Sequence, residues 1–343
     1  MYQEVAENIF LVKIPLPNSP LKFLNSYFIR SNQPNSKNMV IDSGFNHPVC
    51  RQAFDDAMKD LGFTYENTDF VATHLHGDHF AMFSAMENDI SLYLGKLDLD
   101  YLEGRIEENF VQGMEKSDEI FSTTALFGMP EEYADIVMQA QFMQNRNWQI
   151  KNFKAIEEKD EFVVGEYCFE AILFKGHTPG HISLYDREKK ILICGDHILG
   201  RISPNITFWD SEIDSLGNYL ESLALAKQLD VEKILCGHRS NDFDMYERIE
   251  EIFDHHSRRL GEVVDILTEE DRKMTAFEVA SKMTWKTNVD MWSKYSKEQH
   301  WFATGEALAH LEYLFKRDKI KKYIDEGTYY YTANDATINK RGE

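Results

Sequence analysis

The strongest constraint on this chain is the segment HLHGDH at residues 74–79, which places four potential metal ligands within six residues. It follows FVAT, an apolar run that predicts a buried strand. Alternate side chains of an extended strand point the same way, so His74 and His76 can bind one metal ion. Gly77 lets the backbone turn, after which Asp78 and His79 face a second position. The segment therefore predicts a metal site at the end of a strand, unlike HExxH, which needs a helix.

Three later candidate ligands each follow an apolar segment with strand character. His177 comes after YCFEAILFKG, Asp196 ends KILICGD, and His238 ends KILCGH. Taken by itself, each of these residues is compatible with an ordinary structural role, as a histidine in a turn or an aspartate that caps a helix. Occurring together in this order, they predict ligands from several strands that converge at one edge of a sheet.

Short apolar segments alternate with helical periodicity along most of the chain. An antiparallel meander is expected over 1–45, and Pro48 and Gly62 delimit a helix over 48–61. The further expected elements are strands at 70–74, 90–94, 161–165, 167–176, 181–186, 190–196 and 233–238, and helices at 78–87 and 214–229, the last with Asp214 as N-cap. This order indicates an α/β architecture of sheets covered by helices.

Residues 96–157 interrupt this alternation. The segment has helical periodicity, no convincing strand and many large apolar side chains, among them Phe121, Phe127, Met138 and Trp148. We expect it to be mostly helical and to act either as a lid over the metal site or as a dimer interface.

The pattern changes again at about Met245, where a long helical segment begins. Thr275, with Glu278 three residues later, predicts a capped helix, and Thr304 is the N-cap candidate of the next one. Two strands are expected around the turn at 326–327. Helices followed by a hairpin indicate a winged helix.

The expected domains are a catalytic domain over 1–257, which includes the 96–157 insertion, and a winged-helix domain over 258–343. The 343 residues have a net charge of −21, from 37 Lys+Arg and 58 Asp+Glu. The second domain has 15 basic and 15 acidic residues, so the whole acidic excess lies in the first. Such a surface repels a phosphate backbone, which disfavours nucleic acid as a partner.

The sequence predicts neither export nor membrane insertion. The N-terminus lacks a basic segment followed by an apolar run, and no apolar stretch approaches ~18 residues. The four cysteines lie far apart without a CxxC pair, which fits a reducing compartment. We therefore expect a cytoplasmic protein without disulfides.

The motifs HLHGDH, GHTPGH, GDH and the late GH, in this order, resemble those of the metallo-β-lactamase-fold hydrolases. GDHILGRISPNI and the predicted tail are similar to the branch of that family with a C-terminal winged helix. The resemblance implies an αββα sandwich with a helical insertion. It does not define a substrate, because thioesterases, lactonases, nucleases and dioxygenases share the fold.

Transferred residue by residue, the resemblance implies a two-metal site. Its ligands would be His74, His76 and His177 for the first metal, Asp78, His79 and His238 for the second, and Asp196 as the bridge. Five imidazoles and two carboxylates suit zinc, with iron or manganese as alternatives. Asp42, in VIDSG, resembles the family's carboxylate that orients a ligand histidine. His181 and His197 are interpreted as structural neighbours of the ligands, and His255 and His256 as surface residues.

The resemblance further implies hydrolysis by a metal-bridging hydroxide, which Asp78 would orient before it passes a proton to the leaving group. We expect a small ester, thioester or lactone as substrate. A nuclease and a mononuclear iron sulfur dioxygenase are the alternatives, and the full set of second-metal ligands disfavours the dioxygenase. Either a monomer or a homodimer is compatible with the sequence.

The tail could also bind DNA as a regulator, but its candidate recognition helix, GEALAHLEYLFKRDKI, argues against that use. Its apolar stripe consists of Leu308, Leu311, Leu314 and Phe315, which indicates a buried face. The opposite face offers Glu306, His310 and Glu312 where a phosphate-binding surface needs Lys or Arg. We expect the tail to pack on the catalytic domain or a partner subunit, with Trp285, Trp292 and Trp301 as candidate contacts.

Overall fold

The computed structural model describes residues 2–34, 36–86, 90–111, 124–133, 150–285 and 291–334. Within these ranges the strands are β1 (Tyr2–Ala6), β2 (Ile9–Pro15), β3 (Phe23–Ile29), β4 (Asn38–Ile41), β5 (Thr68–Ala72), β6 (Ser91–Gly95), β7 (Phe153–Ile156), β8 (Glu161–Val164), β9 (Tyr167–Leu173), β10 (Ile182–Asp186), β11 (Ile191–Gly195), β12 (Lys233–Cys236), β13 (Met274–Thr275), β14 (Ile320–Asp325) and β15 (Thr328–Ala333). The helices are α1 (Pro48–Leu61), α2 (Gly77–Ser84), α3 (Lys96–Val111), α4 (Ser215–Ala226), α5 (Met245–Glu270), α6 (Ala276–Lys282) and α7 (Lys297–Phe315). None of the described helices combines the length and the hydrophobicity needed to cross a membrane.

Two sheets form the first compact unit, which comprises residues 1–106, 144–204 and 221–249. One sheet has the order β1-β2-β3-β4-β5-β6-β7 and is antiparallel up to β4 and parallel from β4 onward. The other has the order β12-β11-β10-β9-β8, in which the β11–β12 pair is parallel and the remaining pairs are antiparallel. The predicted α/β class is confirmed.

The facing sides of these sheets enclose a core. Ile41 and Val71 of the first sheet pack in one buried cluster with Phe169 of the second. Because successive side chains of a strand point to opposite faces, β5 directs Val71 into this core and Phe70 toward the covering helices. The ring of Phe70 lies 6.3 Å from that of Phe54 on α1. The arrangement leaves the carboxyl ends of the buried strands free to present functional groups.

Local signals set the bounds of α1 as predicted. Pro48 occupies the start of the helix, where a missing N–H costs nothing, and His47 Nδ1 accepts a hydrogen bond from the Val49 N–H. Gly62 ends it with φ of 73°, the left-handed conformation in which glycine is favoured. The four cysteines are free, as expected.

The second compact unit comprises residues 107–143, 205–220 and 250–343. Its antiparallel sheet has the order β13-β15-β14. Leu267, Val279 and Leu308 lie in its buried core, together with Phe127 from the predicted insertion. The Phe127 ring stacks on Trp301 with centroids 5.3 Å apart. Phe127, Met129 and Tyr133 of the insertion therefore pack with the tail.

The predicted domain division at residue 257 falls inside α5, which runs unbroken across it. The division and the winged-helix interpretation of the tail stay predictions.

The expectation that 96–157 has no strand was wrong, because β7 pairs in parallel with β6 at the sheet edge. Residues 112–123 and 134–149 lie outside the described ranges, so the lid or interface role also stays a prediction.

The helix with the candidate cap Thr304 starts earlier than expected. Ser296 is its N-cap: the Ser296 side chain accepts from the Gln299 N–H, and the Gln299 side chain accepts from the Ser296 N–H. This reciprocal pair satisfies two N–H groups at the helix start, whereas Thr304 is fully buried in the interior of α7. The cap assignment to Thr304 was wrong, and that of Thr275 with Glu278 is confirmed.

The apolar stripe of α7 is buried at Leu308, Leu311 and Leu314, whereas Phe315 is 37% exposed. The opposite face is not exposed to solvent either, because His310 and Glu312 are also buried. Glu312 accepts a hydrogen bond from the Tyr331 hydroxyl and lies 2.7 Å from Lys322 Nζ on β14.

His310 and His256 form a second buried polar contact, with Nε2 and Nδ1 3.1 Å apart. His256 is 1% exposed, so its assignment to the surface was wrong. Trp285, Trp292 and Trp301 pack against the core of their own unit, and the expected docking of the tail stays a prediction.

Candidate metal centre

All seven predicted ligands lie in the first unit, where the ends of several strands bring them together. His74 and His76 follow β5, and α2 begins at Gly77, so Asp78 and His79 occupy its first turn. The other three follow strands of the second sheet: His177 comes after β9, Asp196 after β11 and His238 after β12. The side chains lie close together, as expected, but they follow strands of both sheets and not one edge of a single sheet.

The first group consists of His74, His76 and His177, whose ring nitrogens all lie within 4.8 Å of one another. Nδ1 of His76 lies 2.9 Å from Nε2 of His74 and 3.0 Å from Nε2 of His177. His74 and His177 are buried, and His76 is partly exposed. Three imidazoles that direct nitrogens at one point form a donor set that suits a divalent transition metal.

The second group consists of Asp78, His79 and His238, whose potential ligand atoms also all lie within 4.8 Å of one another. Nε2 of His238 lies 3.3 Å from Nε2 of His79 and 3.3 Å from Oδ2 of Asp78. The Asp78 side chain is 14% exposed, whereas the two histidines are fully buried. Asp78 is therefore the member of this group that faces solvent.

Asp196 lies between the two groups. Its Oδ2 is 3.3 Å from Nε2 of His238, 3.6 Å from Nε2 of His79 and 3.9 Å from Nε2 of His177. Its other oxygen, Oδ1, is buried and has no hydrogen-bond partner among the residues that the structure describes. A buried carboxylate oxygen without a partner is costly, and a cation would satisfy it. The donor set thus fits two metal ions that share Asp196.

Charges in the site favour this interpretation. Burial raises the pKa of Asp78 and Asp196, but the imidazoles of His79 and His238 lower it more, which holds the pKa of Asp78 at about 2 and that of Asp196 well below its usual range. Burial and the neighbouring imidazoles lower the pKa of His76 to about 3. The carboxylates are therefore ionised and His76 is neutral, which are the forms that bind metals. Burial lowers the pKa of His238, but the carboxylates of Asp196 and Asp78 raise it to about 10, so an ion bound there must displace a proton from this ring.

Residues behind the ligands fix their ring orientations. Asp42 lies 2.8 Å from Nδ1 of His79 and accepts hydrogen bonds from the N–H and hydroxyl of Thr73. Nδ1 of His238 donates to the carbonyl of Phe23 at 3.0 Å. Each contact leaves Nε2 of the histidine directed at the site. The structure thus places Asp42 where its predicted orienting role requires.

His181 and His197 are buried beside the ligands, and their interpretation as structural neighbours stays a prediction. Nε2 of His181 accepts a hydrogen bond from the N–H of Asp196 at 3.2 Å. His197 stacks on Phe174 with centroids 4.4 Å apart.

Sequence reasoning missed Asp98 and Asn25. Asp98 is fully buried, and burial raises its pKa to about 7, although its hydrogen bonds act in the opposite direction. The Asn25 amide donates to the carbonyls of Cys236 and Arg239, on either side of His238. Neither residue has a local signal, because an aspartate in the first turn of a helix and an asparagine in a strand are ordinary.

Comparison with known proteins gives two matches along the chain. Residues 20–238 match the sequence model of the Metallo-beta-lactamase superfamily, and residues 263–334 match a Metallo-beta-lactamase-like C-terminal domain. The first match covers more than half of the chain and includes all seven candidate ligands.

Two curated proteins and one solved structure are similar to parts or all of the chain. A beta-lactamase-like protein 2 homolog of Caenorhabditis elegans is 26% identical over 39% of this chain and 43% of its own length. A probable metallo-hydrolase of Bacillus subtilis is 24% identical over 52% of this chain and 62% of its own length. The matches thus span less than two thirds of both curated relatives. A metallo-beta-lactamase family protein of Thermus thermophilus superposes with a TM-score of 0.77 at 22% identity, over 96% of this chain and 100% of that one.

Proposed function

The chain belongs to the metallo-beta-lactamase superfamily, and on that premise we propose that it is a dinuclear metal-dependent hydrolase of a small ester, thioester or lactone. The observation that supports this most is the position of Asp196, whose carboxylate lies within 4 Å of histidines from both ligand groups. A single carboxylate between two imidazole sets is the arrangement expected for a pair of metal ions that share a ligand.

The proposed assignment keeps the seven residues in the roles that the sequence suggested. His74, His76 and His177 would hold the first ion, Asp78, His79 and His238 would hold the second, and Asp196 would be shared between them. The mixture of imidazole and carboxylate donors favours zinc, with iron or manganese as alternatives. Ions bound there would supply Lewis-acid chemistry, because they would lower the pKa of a coordinated water and stabilise negative charge that develops on the substrate oxygen.

Asp78 is the residue that we propose to handle protons. Its pKa of about 2 keeps it ionised at neutral pH, so it can accept a hydrogen bond from the attacking water and orient it. It is also the more exposed member of its ligand group, so a substrate can reach it. As the water attacks, the same carboxylate would take up the proton that the water loses, and it would then pass that proton to the leaving group.

Charge supports a small substrate over a nucleic acid. The chain has a net charge of −21, and two of the basic residues at the end of α7 are already engaged. Arg317 lies 2.7 Å from Asp214, and Lys316 donates to the carbonyl of Ser211. We accordingly propose a small-molecule substrate and no nucleic-acid partner. We further propose a cytoplasmic location. Measuring the oligomeric state would test whether the protein is a homodimer.

A substrate panel on the metal-loaded protein tests the proposal. Thioesters, esters and lactones should be hydrolysed, with Asp196→Ala as the inactive control and little dependence on salt. Turnover of RNA that falls steeply with salt would identify a nuclease instead, because contacts with a polyanion release counterions. Oxygen uptake with a persulfide by protein that holds one iron per chain would support the dioxygenase alternative.

A further inference from the structure

Asp98 connects the two loops that provide the first group of ligands. Its Oδ2 accepts hydrogen bonds from the Leu75 N–H at 2.9 Å and from the Thr178 hydroxyl at 2.8 Å. Its Oδ1 accepts from the Gly180 N–H at 2.5 Å. The carboxylate is fully buried, so these bonds are made away from water, where an unsatisfied partner is most costly.

The donors have a specific relation to the ligands. Leu75 lies between His74 and His76, so its backbone position sets that of both imidazoles. Thr178 directly follows His177, and Gly180 belongs to the same turn, which a hydrogen bond from the Gly176 N–H to the Thr178 carbonyl closes. One carboxylate therefore fixes the distance between the His74–His76 pair and His177.

The backbone around Asp98 is shaped for this contact. A Cβ on Gly180 would lie 2.3 Å from the backbone nitrogen of Asp98, and a Cβ on Gly95 would lie 2.0 Å from the carbonyl oxygen of Gly180. No side chain fits at either glycine, so the turn after His177 lies directly against the start of α3. The hydrogen bonds of Asp98 depend on that close approach.

We propose that Asp98 is a positioning residue for the first metal site, which it preorganises by joining the two loops that carry His74, His76 and His177. The inference rests on the proposed two-metal centre and goes beyond its ligand assignment. Residues that orient ligands typically change metal affinity about 10- to 100-fold when replaced. We therefore expect replacement of Asp98 to weaken the first site by a factor in that range and to leave the second site unchanged.

Two variants of different severity test this role. Asp98→Asn keeps the shape but presents an NH₂ group where a carboxylate oxygen accepted, so at least one donor loses its partner. Thr178→Val removes a single donor, leaves the carboxylate bound to two N–H groups, and should give a smaller loss of affinity. The matched control is Asp186→Asn, because Asp186 is 2% exposed and accepts bonds from the N–H groups of Cys168 and Lys189, away from the ligand loops.

Each change is measured by Co²⁺ titration of the metal-free protein in two backgrounds. His238→Ala removes a ligand of the second site and reports on the first, and His177→Ala does the reverse. Asp98→Asn should raise the Co²⁺ dissociation constant and alter the visible absorption spectrum in the His238→Ala background only. Asp186→Asn should lower thermal stability without changing either reading.

Unchanged Co²⁺ affinity and spectrum in a folded Asp98→Asn protein would overturn the inference and show a purely structural role. If that variant does not fold, the same result for Thr178→Val overturns it. A wild-type protein that binds two ions, with no effect of these variants, leaves the proposed function intact. A wild-type protein that binds none contradicts the proposed function itself.

Discussion

The carboxylate of Asp42 accepts a hydrogen bond from Nδ1 of His79 at 2.8 Å, although the two residues are 37 positions apart. This contact commits Nδ1 of His79 to the interior and leaves Nε2 to face His238 and Asp196. Burial lowers the pKa of His79, but the carboxylates of Asp42, Asp196 and Asp78 raise it well above its ordinary value. His79 is therefore oriented from behind by a buried carboxyl group, as the carbonyl of Phe23 orients His238.

Replacing Asp42 with Asn should weaken the second metal site selectively. Asp42 has φ of 63°, a left-handed conformation that Asn tolerates, so the backbone should be retained. Loss of the negative charge should lower the affinity of the second ion about 10- to 100-fold. Zn²⁺ titration with a chelating competitor measures both affinities. Equal affinities in wild type and variant would contradict the orienting role.

Gly180→Ala should destabilise the first unit, because its Cβ would lie 2.3 Å from the backbone nitrogen of Asp98. Overpacking of this kind costs about 1–3 kcal/mol, and here the obstacle is backbone that cannot rotate away. Urea denaturation measures the loss. The control is Gly104→Ala, where an added Cβ meets no described atom within 4 Å beyond its own helix backbone, and the helix should gain about 0.5–1 kcal/mol. Similar effects of both substitutions would contradict the close contact.

His310 should make the second unit sensitive to acid. It donates through Nδ1 to the carbonyl of Glu306 and faces His256 through Nε2, and burial lowers its pKa to about 4. In the unfolded chain its pKa is about 6.5. Between these values the unfolded state binds the proton and the folded state does not, so the free energy of unfolding falls as the pH falls from about 6.5 to about 4.

The size of this effect can be isolated with His310→Gln, which keeps a neutral polar side chain. Between pH 7 and pH 5 the wild type should lose about 2 kcal/mol more stability than the variant, measured by urea denaturation of metal-free protein. Equal losses would show that His310 is protonated in the folded state.

The tail should not bind nucleic acid with high affinity. Lys316 and Arg317 have partners in their own unit, and the predicted recognition helix is buried along its apolar stripe. Binding of duplex DNA and RNA at low salt should therefore be weaker than micromolar. Submicromolar binding that is lost when Lys316, Arg317 and Lys319 are replaced would contradict this expectation.

The parts of the fold that local sequence signals control were predictable. Pro48 and Gly62 determine the bounds of α1, and the spacing of His74 and His76 follows from the twofold repeat of a strand. The ligands after β9, β11 and β12 were recognisable because each follows an apolar strand.

The features that depend on distant partners were not predictable. Asp98 gains its role from Thr178 and Gly180, some 80 positions away, and the pairing of β7 with β6 crosses the whole insertion. His310 and His256 have the sequence character of surface residues, but they are buried, with Nδ1 of His256 3.1 Å from Nε2 of His310 across 54 positions of the chain.

The central claim, that two metal ions share Asp196 in the active site, is tested most directly by relating metal content to activity. Metal-free protein should recover full hydrolysis only after about two equivalents of Zn²⁺ per chain. Asp196→Ala should remain folded by circular dichroism and have no activity at any Zn²⁺ concentration. Full activity with one equivalent per chain, or an active Asp196→Ala protein, would contradict the dinuclear mechanism.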